Sequence, residues 1–110
     1  MIVKLDETQT VGDLIRRVAI GHERTLLIVN HQEKLIGVVT QGDILRAIWN
    51  GAELGSPADR CINYNPLTLP KAHTKEQALS LFAETGALVI PVIDELRKVI
   101  EIVNVRELMK

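Results

Sequence analysis

The sequence predicts a mixed α/β (α+β) protein made of two copies of one strand–helix–strand–strand–helix unit, the last helix cut short. Three observations predict it. The second half of the 110-residue chain repeats the first at a fixed offset, with Thr74 standing to Thr10 as 74 − 10 = 64. Within each half, apolar residues follow first a helical spacing and then run in short, partly β-branched stretches. Polar clusters separate those stretches in the manner of hairpin turns.

The first unit opens with an extended piece, Ile2–Leu5. Val11, Leu14, Ile15, Val18 and Ala19 then recur at i, i+3, i+4, i+7 and i+8, which predicts an amphipathic helix over 11–20. Thr10 is its N-cap, Asp13 stands in the capping-box place, and Gly21 is a stop. Strands are predicted at Thr25–Val29 and Lys34–Thr40, joined by the turn Asn30-His31-Gln32-Glu33. A second helix is expected at Gly42–Asn50, with Ile44, Leu45, Ile48 and Trp49 on one side and Gly51 ending it. Gly55, Pro57 and Pro66 suit the stretch 51–65 to a turn-rich connection.

The second copy follows without a gap. Pro66–Leu69 is its leading strand, Thr74 caps its first helix with Gln77 completing the box, and Ala78, Leu79 and Phe82 face inward. Leu88–Ile93 and Lys98–Val103 form its hairpin, and Lys110 falls about one turn into its last helix. Residues 1–50 are therefore read as one unit, 51–65 as the link and 66–110 as the other. Units this small are expected to pack against each other pseudo-symmetrically to bury enough surface. The short final helix fits either a piece cut from a longer protein or a pair that tolerates the loss.

Composition excludes several function classes. Thirteen basic and fourteen acidic side chains give a net charge of −1, so no basic footprint for nucleic acid or polybasic membrane surface is expected. No apolar run approaches the roughly 20 residues of a membrane span, and MIVKLDETQT has no signal-peptide pattern. A single cysteine, Cys61, forbids an internal disulfide and suits a reducing compartment, hence a cytoplasmic expectation. His22, His31 and His73 have no partner at metal-ligand spacing, so they read as surface histidines and not as a zinc site. Cys61 lacks a base to make it a nucleophile and reads as a small buried hydrophobe. Arg16, Arg17, Glu23 and Arg24 read as a solvated helix face. No triad or paired carboxylates appear, so no catalytic residue is named and no enzyme is expected.

The runs Leu35-Ile36-Gly37-Val38-Val39-Thr40-Gln41-Gly42-Asp43-Ile44 and Ile90-Pro91-Val92-Ile93-Asp94, the two Thr-started helices and the internal repeat together resemble the CBS domain pair, or Bateman module. The resemblance covers nearly the whole chain. Asn63-Tyr64-Asn65-Pro66-Leu67-Thr68 and Thr40-Gln41-Gly42-Asp43-Ile44-Leu45-Arg46 look most like the CBS pairs that precede sugar-phosphate nucleotidyltransferases.

Chemically, Thr40-Gln41-Gly42-Asp43 follows a strand and opens a helix, where backbone N–H groups and the helix dipole suit a phosphate. Thr40 adds a hydroxyl, Gly42 admits a ligand close to the backbone, and the Asp43 carboxylate can accept from a ribose diol. The same residues are equally a capping box with no ligand at all. The family resemblance implies that these positions bind an adenosine nucleotide, AMP, ADP or ATP, with S-adenosylmethionine as another adenosyl ligand. It implies a base held in an apolar cleft between the units by Val38, Ile62, Asn65, Leu67 and Ala87. At the repeat positions, Ile102, Asn104, Arg106 and Glu107 replace the matching set and Glu101 replaces Gly37, so the second site is expected to be degenerate. The resemblance further implies a homodimer through helices, with Ile48 and Trp49 at the contact, and a regulated partner such as a nucleotidyltransferase or another catalytic domain. The competing reading is a structural or dimerising module with no physiological ligand.

Overall fold

A computed structural model describes residues 2–6, 8–21 and 24–110. The chain divides into two compact units, Met1–Pro66 and Leu67–Lys110. His22 and Glu23, read above as surface charges, lie outside the described residues.

In the first unit, β1 (Ile2–Lys4), β2 (Thr25–Val29) and β3 (Leu35–Thr40) form a sheet in the order β1-β2-β3, with α1 (Val11–Gly21) and α2 (Gln41–Trp49) as its helices. β1 runs parallel to β2, pairing Val3 with Ile28, and β3 runs antiparallel, pairing Val39 with Leu26. Val3, Val11, Leu14, Leu26, Ile28, Val39, Ile44 and Ala47 make one buried core. The Thr10 capping box is present, with Asp13 N–H donating to Thr10 Oγ1 at 3.2 Å and Thr10 N–H to Asp13 Oδ2 at 2.9 Å.

The stretch expected to be a link folds back on this unit. Val11 and Gly12 N–H, orphan donors of the first turn of α1, donate to the carbonyls of Ser56 and Leu54 at 2.8 and 2.9 Å. Ala52, Ala58 and Cys61 join the core, the last two in a short 3-10 turn, Ala58–Cys61. Asn63 then lies along the free edge of β3. Val38 N–H donates to Asn63 O at 3.0 Å, and Asn63 N–H donates to Val38 O at 2.8 Å.

The second unit repeats the plan with β4 (Leu69–Pro70), α3 (Lys75–Thr85), β5 (Val89–Ile93), β6 (Val99–Asn104) and α4 (Val105–Leu108), its sheet ordered β4-β5-β6. Thr74 and Gln77 form the expected capping box, and α3 ends at Gly86 in the left-handed conformation (φ 76°). Leu69, Ala78, Ile90, Val92, Val103 and Val105 are its core, with Leu79 and Phe82 packed against it.

The two hairpins have the same turn. Asn30 Oδ1 accepts from the N–H of Gln32 and Lys34, and Asp94 Oδ1 accepts from those of Leu96 and Lys98. Each turn closes with a left-handed residue, Glu33 (φ 64°) or Arg97 (φ 65°), and a register shift in the preceding strand. This is the turn-plus-bulge solution that matches strand twist.

Two expectations need correction. The leading strand of the second copy is Leu69–Pro70, not Pro66–Leu69. Val3 pairs Ile28 and Leu69 pairs Val92, so the strands are offset by 69 − 3 = 66 while their partners keep 92 − 28 = 64. The gapless alignment therefore fails there. Pro91, standing where Leu27 accepts the pairing with Ile2, has no N–H to give a parallel ladder, and pairing begins only at Val92. The apolar side of α2 is also split. Ile44 and Ala47 are buried, while Leu45, Ile48 and Trp49 are 63%, 43% and 89% exposed.

Candidate functional site

The strand-to-helix turn of the first unit holds three of the expected residues, Thr40, Gly42 and Asp43. Thr40, the last residue of β3, is the N-cap of α2, and its hydroxyl accepts from Asp43 N–H at 3.2 Å. Asp43 answers with Oδ2, which accepts from Thr40 N–H at 2.8 Å and from Thr40 Oγ1–H at 2.9 Å. Its other oxygen, Oδ1, accepts from Arg46 Nη2 at 2.8 Å. The Asp43 side chain is only 17% exposed, while Arg46 is 70% exposed.

This arrangement limits what the turn can hold. A carboxylate oxygen accepts about two hydrogen bonds. Oδ2 is filled by Thr40, so a ribose hydroxyl can approach only Oδ1, which Arg46 also uses. Of the first amides of α2, Gln41 N–H donates to the Arg24 carbonyl at 3.1 Å and Asp43 N–H is taken by Thr40. Among the described residues the Gly42 N–H has no hydrogen-bond partner, so one amide is left over at the positive end of the helix. A Cβ on Gly42 would meet Arg46 Nη1 at 3.2 Å, which places the guanidinium directly over this residue.

The floor of the site is built by Gly37. A Cβ there would sit 2.6 Å from Ile62 Cγ2 and 2.7 Å from Asn63 O, closer than atoms can approach. Only glycine lets the return segment cross β3 at this point. Val38 is thus held by Asn63 on its backbone, Ile62 packs against the core, and Asn65 is exposed with its N–H on Asn63 Oδ1 at 2.9 Å. Leu67, exposed, and Ala87, half-buried, belong to the second unit. Cys61, beneath the site, has its thiol pKa pushed above the usual 9.0 by burial, with the Asp43 charge adding to the effect, so it stays protonated at neutral pH.

Arg46 and Asn63 are site residues that the sequence reading did not assign. Arg46 stands three residues after Asp43 on a helix, the spacing of a side-chain ion pair. Asn63 was signalled by Gly37 in mid-strand, a mark of close backbone approach.

The repeat positions are arranged differently. Asn104 caps α4 by accepting from Arg106 N–H at 3.0 Å. Glu107 does not return to the cap but meets Lys110 Nζ at 3.4 Å, 63% exposed. Ile102 is 42% exposed. Glu101 and Arg106 are exposed as well.

Away from the turn, an apolar depression of about 580 Å³ lies between α1 and α2, lined by Ile15, Val18, Arg24, Ile44, Leu45 and Ile48. None of the expected nucleotide residues lines it. Among the described residues no group of three or more His, Cys, Asp or Glu could hold a metal ion, and no helix is long and apolar enough to cross a membrane.

The family model for the CBS domain matches residues 2–50 and again 59–110. No curated protein sequence matches the chain. Solved structures do, at identities that speak to the fold alone. The cytosolic domain of the Mg2+ channel MgtE in complex with ATP is 20% identical with a TM-score of 0.80, over 99% of this chain and 43% of that one. A CBS domain protein from Pyrobaculum aerophilum complexed with AMP is 20% identical with a TM-score of 0.79, over 96% of this chain and 81% of that one. CBSX2 in complex with AMP is 23% identical with a TM-score of 0.80, over 99% and 84%.

Proposed function

This chain belongs to the CBS domain family, matched twice along its length, and from that premise we propose that it is a regulatory module which binds an adenosine nucleotide and alters the activity of an attached or partner protein. The observation that carries the reading is the strand-to-helix turn in which Thr40 orients a largely buried Asp43 carboxylate beside an open Gly42 amide. Asp43 Oδ1 would accept from the ribose, Thr40 and Gly42 would face the phosphate, and Val38, Ile62 and Asn65 would meet the base. The reading also enlists Leu67 and Ala87. AMP and ATP accompany the three similar structures described above, which supports an adenosine nucleotide as the class.

The second site is proposed to be silent, because Glu107 is turned to Lys110 and no capping box presents it. A homodimer is proposed through the exposed Leu45, Ile48 and Trp49 of α2, in the cytoplasm, with a nucleotidyltransferase as the first regulated domain to test. Control of that domain requires that the nucleotide bind two states with different affinity.

Calorimetry with AMP, ADP, ATP and S-adenosylmethionine tests the reading. One site per chain is expected, with a rise in melting temperature on binding. Asp43→Ala is expected to weaken binding by about fivefold or more, the loss of a charged hydrogen bond of about 1–3 kcal/mol. Its folding cost is expected to be about 1 kcal/mol, that of a cap. Two equivalent sites would refute the asymmetry.

The satisfied capping box favours the second reading, a structural module without a ligand, since Asp43 has its hydrogen bonds already. A folded chain whose melting temperature moves with none of these ligands would establish it.

A further inference from the structure

Arg46 lies at the one point of the turn where a sugar and a phosphate would compete for partners. Its Nη2 donates to Asp43 Oδ1 at 2.8 Å, and Oδ1 is the only oxygen of that carboxylate not already filled by Thr40. Its guanidinium also lies over Gly42, where a Cβ would be 3.2 Å from Nη1 and 3.5 Å from Nη2. Among the described residues Gly42 carries the amide of the turn without a hydrogen-bond partner, since the Arg24 carbonyl and Thr40 Oγ1 take the amides on either side. Without ligand, then, the guanidinium sits on the ribose acceptor and beside the phosphate donor.

The geometry points to Arg46 as the residue that sets phosphate specificity, by exchanging one anion for another. In the free chain it holds Asp43 Oδ1. When a phosphorylated adenosine arrives, the guanidinium moves to the phosphate beside the Gly42 amide and releases Oδ1 to the ribose hydroxyl. An unphosphorylated nucleoside gives Arg46 no second anion, so the guanidinium stays on Oδ1 and the ribose hydroxyl must share that oxygen with it. The assignment rests on the adenosine-nucleotide reading above and names what discriminates within that class.

Three facts make the exchange feasible. Arg46 is 70% exposed, so its side chain moves without disturbing the core. The pair is a single hydrogen bond whose Arg46 end lies in solvent, so releasing it costs little. A guanidinium binds phosphate in a forked geometry with strong, charge-assisted hydrogen bonds. With a single amide open, the helix end alone supplies little of the phosphate site, and Arg46 supplies the positive side chain.

The test is calorimetry of the whole chain with adenosine and with AMP, on the wild type and on Arg46→Met, Arg46→Lys and Asp43→Ala. Wild type is expected to prefer AMP. Arg46→Met is expected to bind adenosine about threefold more tightly, the competing pair being gone. It is expected to bind AMP about tenfold more weakly, a charged contact being lost. Arg46→Lys, which keeps the charge, is expected to retain most of the AMP preference. If Arg46→Met changes adenosine and AMP by the same factor, or changes neither, the assignment is wrong. If wild type binds neither ligand, or Asp43→Ala keeps full affinity, the nucleotide reading itself falls and takes this assignment with it. Those arms leave Arg46 untouched, so the two failures are distinguishable.

Discussion

The two units share a plan and differ in what closes the sheet. In the first, the returning segment lays Asn63 along β3 and buries Ala52, Ala58 and Cys61 with the strand residues. In the second, β6 has Glu101 where β3 has Gly37, and Ile100 and Ile102 stand 45% and 42% exposed. α2 runs Gln41–Trp49, while α4 is the single turn Val105–Leu108. The same repeat thus yields a thick core under one turn and a thin one under the other. A functional turn needs a firmly packed floor, and under the first turn Gly37, Ile62 and Asn63 are in close contact.

The largest effects should follow that difference in core. Leu26 and Ile90 occupy equivalent positions and are both 0% exposed. Truncating either to Ala is expected to cost about 2–5 kcal/mol. Leu26→Ala is expected at the upper end, because its neighbours span two helices, three strands and the return segment and cannot collapse on the void. Ile90→Ala is expected at the lower end, its surroundings being sparser. Urea unfolding of both variants measures the order. A larger loss at Ile90 would break the comparison.

The next effect isolates the return segment. Gly37→Ala puts a methyl group 2.6 Å from Ile62 Cγ2 and 2.7 Å from Asn63 O, so the segment must lift. A cost of about 1–3 kcal/mol is expected, as for overpacking elsewhere, with loss of any ligand affinity carried by Ile62. At the matching position, Glu101→Gly frees no crowded contact and is expected to cost under about 1 kcal/mol, the penalty of glycine in a strand. Equal costs at the two positions would mean that the segment is not what Gly37 serves.

Much of this was legible in the sequence, for reasons that differ by residue. The repeat, the three capping boxes at Thr10, Thr40 and Thr74, and both hairpins were readable because their chemistry is local. The leading strand of the second copy was not, since its connection to the capping threonine is two residues shorter (74 − 69 = 5 against 10 − 3 = 7) and a gapless alignment hides that. The exposure of Ile48 and Trp49 was anticipated only through the family resemblance, which implies a helix contact there, and that of Leu45 was not. A helical stripe gives a direction, and which half of it meets the core depends on what the chain folds against. At the site, Thr40, Gly42 and Asp43 came from a motif, but Arg46 was unread because a surface ion pair leaves no pattern beyond its spacing.

The smallest effect is expected to be the same in both units, and for that reason it sharpens the contrast. Glu33 and Arg97 hold φ near 64° and 65°, a region that costs a side-chain-bearing residue about 1–2 kcal/mol and glycine almost nothing. Their turns share one hydrogen-bond pattern, with Asn30 and Asp94 accepting at the same places. Relief of the strain is partly offset by the greater freedom of glycine in the unfolded chain. Each substitution also gives up the side chain's own interactions, for Glu33 a weak exposed pair with Lys4 at 3.2 Å. Glu33→Gly and Arg97→Gly are therefore each expected to stabilise by about 0.5 kcal/mol, read as parallel upward shifts in urea midpoint. Because the turn is built from its own residues, the gain should not depend on the core beneath it. A gain in the first unit alone would show that the thin core of the second lets its hairpin relax, and that the difference between the units reaches even the part of the repeat they share.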